Sequence, residues 1–191
     1  MARDRCLILT DVDETVLQFA QPFQDWCIAN GHQTRGTLRD DYSIEAMLDC
    51  TRERAEEILD AFAKAGGMIE QPTEICAATV LPRLYAAGHD FVAITACGLD
   101  EDFRQERWLR LGAAFGFPWQ AVHVVELGGC KESYLRFYDQ TVWVEDNVRH
   151  AAAGARLGHQ VFLLDRAYNR GFEHDGVTRV RDWHEIADRL G

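Results

Sequence analysis

The sequence predicts an α/β fold: a parallel sheet between two layers of helices, with a small helical segment inserted after the first strand. Three observations predict it. Short apolar runs alternate with longer stretches of helical periodicity, the pattern of parallel strands joined by crossover helices. About 80 residues separate the first two runs, whereas a βαβ unit needs only about 30. Acidic or hydroxyl residues stand where the runs end, at the edge where open parallel sheets bind ligands.

Cys6-Leu7-Ile8-Leu9-Thr10 reads as the first strand, and Asp11-Val12-Asp13-Glu14-Thr15 ends it. From Phe19 to Glu74 no strand pattern recurs. An apolar-periodic piece around Phe23–Ile28 and helices over Ser43–Leu48 and Arg52–Ala65 predict a small helical lobe. The last of these places Ala55, Ile58, Leu59 and Phe62 along one side, stops at Gly66-Gly67, and is followed by Pro72 on the way back. The expected division is a core of 1–18 and 75–191 with an insertion of 19–74 above the sheet as a lid.

Phe91-Val92-Ala93-Ile94 is the second strand and ends in Thr95-Ala96-Cys97-Gly98. A helix over Asp102–Phe115 follows. Its spacing puts Phe103, Trp108, Leu111 and Phe115 on the apolar face, with Arg104, Arg107 and Arg110 largely on the other. Val122–Val125 is the third strand; a Gly128-Gly129-Cys130 turn then leads to Lys131 at the start of a helix. Val142-Trp143-Val144 is the fourth strand and ends in Glu145-Asp146-Asn147. The Ala-rich helix 147–157 closes at Gly158, with Asp146 a candidate N-cap. Val161-Phe162-Leu163-Leu164 is the fifth strand.

Length and composition suit one core and a small lobe: 191 residues, 47% apolar and 27% charged. A net charge of −11 argues against a nucleic acid polymer as partner, because phosphate backbones demand a basic surface. It leaves room for a small phosphorylated ligand held by local cations. The six cysteines, Cys6, Cys27, Cys50, Cys76, Cys97 and Cys130, include no C-x-x-C pair, so reduced thiols rather than zinc are expected. Met1-Ala2-Arg3-Asp4-Arg5 offers no apolar signal region, and no apolar stretch is long enough to span a membrane. A cytoplasmic protein without a membrane partner is the expectation.

Asp11 and Asp13 resist joint burial unless a divalent cation joins them or one stays protonated. With Thr95, Lys131 and the Glu145-Asp146 pair they would converge on one crevice, and the set suits phosphoryl transfer. A carboxylate can attack phosphorus if a cation shields it, and Mg²⁺ binds a few carboxylates together with phosphate oxygens. A second carboxyl group can protonate the leaving alcohol. A hydroxyl, backbone N–H groups and a lysine can hold the remaining oxygens.

D-x-D-x-T on strand one, Thr at the end of strand two, a downstream Lys and an acidic pair ending a later strand resemble the haloacid dehalogenase-like (HAD) phosphohydrolase superfamily. The resemblance covers most of the chain. It implies a Rossmann-like, three-layer core with a small C1-type helical cap. It also implies Asp11 as nucleophile and Asp13 as general acid/base. Mg²⁺ would be held by Asp11, Asp146 and the backbone carbonyl of Asp13, with Glu145 assisting. Thr95, Lys131 and the Ala96 N–H would bind phosphate. In the family an acid at the position of Asp13 separates phosphatases from dehalogenases, so a phosphatase is implied.

The tail, Leu164–Arg170 followed by Arg179–Ile186, resembles 5′(3′)-deoxyribonucleotidase-like members. Those typically have Pro in place of Ala167 and commonly Gly in place of Glu14. This resemblance points to a nucleoside 5′-monophosphate, with a sugar phosphate or other small metabolite as the alternative. Phe19, Trp26 and Tyr42 are then candidates to line a ring-binding pocket or the core of the lobe, and Arg166 and Arg170 candidates for the crevice rim. Two other readings are a phosphoaspartate signalling module and an inactive binding relative. The insertion after strand one opposes the first, and retention of all four signals opposes the second.

Overall fold

The computed structural model describes residues 5–98 and 101–191. From the first strand, β1 (Leu7–Thr10), the chain enters a run of helices: α1 (Ala20–Ala29), α2 (Leu38–Asp41), α3 (Ile44–Leu48) and α4 (Arg52–Lys64). Helix α5 (Ile75–Ala86) leads to β2 (Asp90–Thr95), and α6 (Glu101–Phe115) to β3 (Ala121–Val124). Then come α7 (Glu132–Leu135), β4 (Val142–Glu145), α8 (Val148–Arg156) and β5 (Gln160–Leu164). A 3₁₀ turn (Ala167–Asn169), β6 (Val177–Val180) and α9 (Trp183–Leu190) complete the chain.

The six strands form one parallel sheet in the order β3-β2-β1-β4-β5-β6. Side chains alternate between its faces, as the two-residue period of a strand requires. Ile8, Phe91, Val144 and Phe162 pack on one face with Leu81, Leu111, Phe115 and Trp183 from α5, α6 and α9. Leu9, Ile94, Trp143 and Leu163 pack on the other with Leu135 and Ala151 from α7 and α8. Helices on both faces make the three layers, and both faces being dry explains why the strands read as unbroken apolar runs. Strand order reverses about β1, so the β1/β4 boundary is the switch point where a crevice opens.

Four details differ from the sequence expectation. A sixth strand exists; Thr178 and Arg179 broke the apolar pattern because β6 is an edge strand, only partly buried. An extra short helix, α2, lies between the expected first and second helices of the insertion. The N-cap of α8 is Asn147, whose side chain accepts from Arg149 N at 3.0 Å, and not Asp146. On α6 the inward stripe is Arg107, Leu111 and Phe115, at successive four-residue steps, while Trp108 is 42% exposed. The side chain of Phe103 and the segment Met1–Asp4 lie outside the described residues. Among the described residues no helix is long and apolar enough to cross a membrane.

Candidate active site

The end of β1 is built as a tight, heavily anchored turn. Asp11 N extends the ladder by donating to Val144 O at 2.9 Å, and Val12 O then accepts from Val16 N and Leu17 N, both at 2.9 Å. Glu14 has φ +58°, a left-handed conformation that costs a non-glycine residue energy. Its neighbours hold it there. Its carboxylate accepts from Phe19 N and Ala20 N, each at 2.8 Å, at the start of α1. Its carbonyl accepts from Arg166 Nε at 3.1 Å and Nη2 at 2.6 Å. A glycine could adopt this backbone freely, but it could not tie the turn to α1.

Lys131 is buried and bridges two strand ends. Its Nζ donates to Asp11 Oδ1 and, at 2.9 Å, to Glu145 Oε2, and it lies 5.5 Å from the centre of the Trp143 ring. Thr15 Oγ1 donates to the other Asp11 oxygen at 3.1 Å. Glu145 accepts from Asp146 N and Asn147 N at 3.0 Å each. The Tyr168 hydroxyl donates to Asp146 Oδ2, and Asn169 Nδ2 donates to Asp146 O at 2.8 Å.

One carboxylate oxygen from each of Asp11, Glu145 and Asp146 lies within 4.8 Å of the others, and all three residues are buried. Desolvation pushes the Asp11 carboxyl up to about 7; Lys131 opposes this, while Glu145 and Asp13 reinforce it. Desolvation, with Asp11 and Glu145 nearby, drives Asp146 well above the usual range. Glu145 is equally desolvated, but Lys131, His150 and its N–H donors hold it below the ordinary glutamate value. Three oxygen ligands and one ammonium leave a negative excess in a dry pocket. That donor set fits a hard divalent cation such as Mg²⁺, which takes carboxylate oxygens. Glu145 joins Asp11 and Asp146 directly in this cluster, where the resemblance gave it an assisting role.

Asp13 is gripped by Arg107 and Gln71. Arg107 Nη2 donates to Asp13 Oδ1 at 2.7 Å and Oδ2 at 2.9 Å, and Gln71 Nε2 donates to Oδ1 at 2.9 Å. Thr95 Oγ1 lies 3.3 Å from Oδ2. Arg107 also donates to Gln71 Oε1, and Arg110, one turn on, donates to Gln71 O. Arg107 is 1% exposed, and pairing with Asp13 keeps it charged despite burial. Helical periodicity had assigned this arginine to solvent, because its partner lies 94 residues away in sequence.

A cavity of about 280 Å³ opens on Asp11, Asp13, Ala96, Lys131, Glu145 and Asp146. Its far wall is supplied by the helices of 20–64 and their flanks, with Phe19, Leu38, Tyr42, Ile44, Leu59 and Met68. Of the residues expected to contact a ligand, Phe19 and Tyr42 line the cavity, while Trp26, Arg166 and Arg170 do not. Trp26 packs against Phe62 and His32, Arg166 is spent on the Glu14 turn, and Arg170 is exposed. Sequence reasoning missed Gln71, Arg107, Tyr168 and Asn169. Tyr168 and Asn169 fell within the Leu164–Arg170 stretch singled out for its resemblance, and Arg107 was placed only on the face of its helix away from the apolar stripe.

No protein-family model matches the sequence, and no curated protein matches it. Solved structures do resemble it. The D,D-heptose 1,7-bisphosphate phosphatase from B. bronchiseptica, complexed with magnesium and phosphate, matches with TM-score 0.60 at 18% identity, over 97% of each chain. The L-2-haloacid dehalogenase from Xanthobacter autotrophicus, with chloropropionic acid covalently bound, matches with TM-score 0.64 at 13% identity, over 98% of each chain. CbbY from Rhodobacter sphaeroides, in complex with phosphate, matches with TM-score 0.57 at 18% identity, over 96% of each chain. The chain therefore has, over almost its whole length, the three-layer α/β fold shared by these phosphatases and haloacid dehalogenases.

Proposed function

We propose that the protein is a Mg²⁺-dependent phosphomonoesterase that works through an aspartyl-phosphate on a small phosphorylated metabolite. The observation behind this reading is the meeting of Asp11, Asp13, Lys131 and Asp146 at one cavity, from two strand ends and a helix start. Asp11 Oδ attacks phosphorus, the P–O bond to the leaving group breaks, and Asp13 gives that oxygen a proton. Water then attacks the same phosphorus, Asp13 takes its proton, and the bond to Asp11 breaks. Lys131 and Thr95, with the Ala96 N–H, offset charge on the phosphoryl oxygens. Bound Mg²⁺, held by Asp11, Glu145 and Asp146, would supply positive charge that lets anionic Asp11 approach a phosphate.

Asp13 favours phosphate esters over organohalides as substrates. A halide departs as an anion without needing a proton, whereas an alkoxide does not depart readily unless protonated. The insertion of 19–74 serves as the lid, since its side chains close the cavity over the acids. Phe19 and the apolar wall beside it suit a flat ring, so nucleoside 5′-monophosphates are the substrates to test first. Sugar phosphates come next, because one similar structure is a heptose bisphosphate phosphatase. Free thiols at all six cysteines suit a cytoplasmic setting.

The test is hydrolysis of p-nitrophenyl phosphate, then of a panel of nucleotides and sugar phosphates, with Mg²⁺ or EDTA. Turnover should require the metal and vanish in Asp11→Asn. Metal-independent turnover, or an Asp11→Asn variant near wild-type activity, would refute the mechanism. A panel on which nucleoside monophosphates are no better than sugar phosphates would remove the nucleotide reading alone.

A further inference from the structure

We propose that the Tyr42 hydroxyl donates a hydrogen bond to the substrate's phosphate group, so that the helical insertion completes the phosphate site. The proposal rests on the phosphatase reading and deepens it. Tyr42 caps α2 with φ +52°, a backbone conformation that disfavours a bulky residue. A tyrosine in that conformation stores backbone strain, which marks its side chain as a candidate for a task.

Two rings aim that side chain. Tyr42 packs against Tyr168 with ring centres 4.7 Å apart and meets Phe19 edge-on at 6.4 Å. Tyr168 donates in turn to Asp146, so the stack ties the insertion to the acidic cluster across the cavity. Tyr42 lines that cavity together with Asp11, Asp13 and Asp146.

Among the described residues the Tyr42 hydroxyl has no hydrogen-bond partner, although it belongs to a side chain in van der Waals surroundings on two sides. Its burial, followed by the charges of Asp146, Asp13 and Asp11, raises its pKa well above that of free tyrosine. The group therefore stays protonated and acts as a donor. A donor that lines the cavity beside Asp11, Asp13 and Asp146, yet bonds to none of them among the described residues, is placed for an acceptor that arrives among them. The phosphate oxygens of a substrate are that acceptor; the organic part would sit farther from the acids, against the apolar wall.

Tyr42→Phe tests this because it removes the hydroxyl and keeps both ring contacts. A hydrogen bond to a charged group is worth roughly 10- to 100-fold in affinity. The variant should melt with the wild type and bind inorganic phosphate, in Mg²⁺, about 10-fold or more weakly by calorimetry. Its kcat/KM should fall by a similar factor on p-nitrophenyl phosphate and on alkyl phosphates alike. Phosphate affinity within about two-fold of wild type would overturn the proposal. So would a loss confined to substrates with one kind of organic group. A wild-type protein that binds phosphate without hydrolysing esters would remove the phosphatase reading, and the binding comparison would still decide the role of Tyr42.

Discussion

Asp13→Asn would leave the Arg107 guanidinium buried without a carboxylate. That arginine is 1% exposed and directs one nitrogen at both Asp13 oxygens, at 2.7 and 2.9 Å. Removing one partner of a buried pair costs about 3–5 kcal/mol, since the surviving charge stays desolvated. Asn can still accept one hydrogen bond and Gln71 remains beside the arginine, so we expect somewhat less than that, about 2–4 kcal/mol. For a chain of this length that is a fall in Tm of roughly 5–15 °C. Asp11→Asn should behave oppositely in metal-free protein. Burial raises the Asp11 carboxyl from 3.8 to about 7, so the folded state holds its proton more tightly than the unfolded chain. The ionised form costs stability that grows as pH rises through this window and is complete above it, on the order of 4 kcal/mol. Asn at position 11 removes that cost, so the variant should gain stability relative to wild type between pH 4 and pH 7. Urea denaturation of both variants in EDTA at pH 8, with Asp13→Asn/Arg107→Met as the double mutant, measures these effects. Asp13→Asn within about 0.5 kcal/mol of wild type, or strict additivity in the double mutant, would refute the clamp.

Three further outcomes follow from the same geometry. Tyr168→Phe removes the hydroxyl that orients Asp146 and should weaken Mg²⁺ binding about 10-fold, read by metal titration of Tm; unchanged affinity would make the contact incidental. Buried His150 is held down to about 4, chiefly by desolvation, while the unfolded chain takes up its proton near 6.5. Its contribution is complete above 6.5 and lost as pH falls toward 4, about 3 kcal/mol, so His150→Gln should flatten stability over that interval. Gly154→Ala would press a Cβ to 2.5 Å from the buried Trp143 ring and should cost about 1–3 kcal/mol by denaturant titration, whereas a neutral effect would show that α8 can move away.

The insertion shows how far local pattern reaches. Ser43 and Thr51 cap helices α3 and α4 by accepting from Ala46 N and Arg54 N, and Gly66 ends the last turn with φ +85°. Caps and glycines act over a few residues, so they can be read from sequence. Helix α2 escaped because four residues are too short for periodicity to register.

The sequence by itself determined the fold class and the positions of Asp11, Asp13, Thr95, Lys131, Glu145 and Asp146. Each stands at the end of a strand or the start of a helix that its own neighbours specify, and parallel strands bring such ends to one edge. Tertiary structure alone decided which groups each acid meets. It sent the Asp13 carboxylate to Arg107 and Gln71, and it put Glu145 beside Asp11 and Asp146. It also set Tyr42 over the acids while turning Trp26 into the packing of the insertion. The physical reason is range: hydropathy and periodicity register what a residue does to its own helix or strand. A buried ion pair forms only when the fold excludes water from both partners, which here come from opposite ends of a 94-residue span.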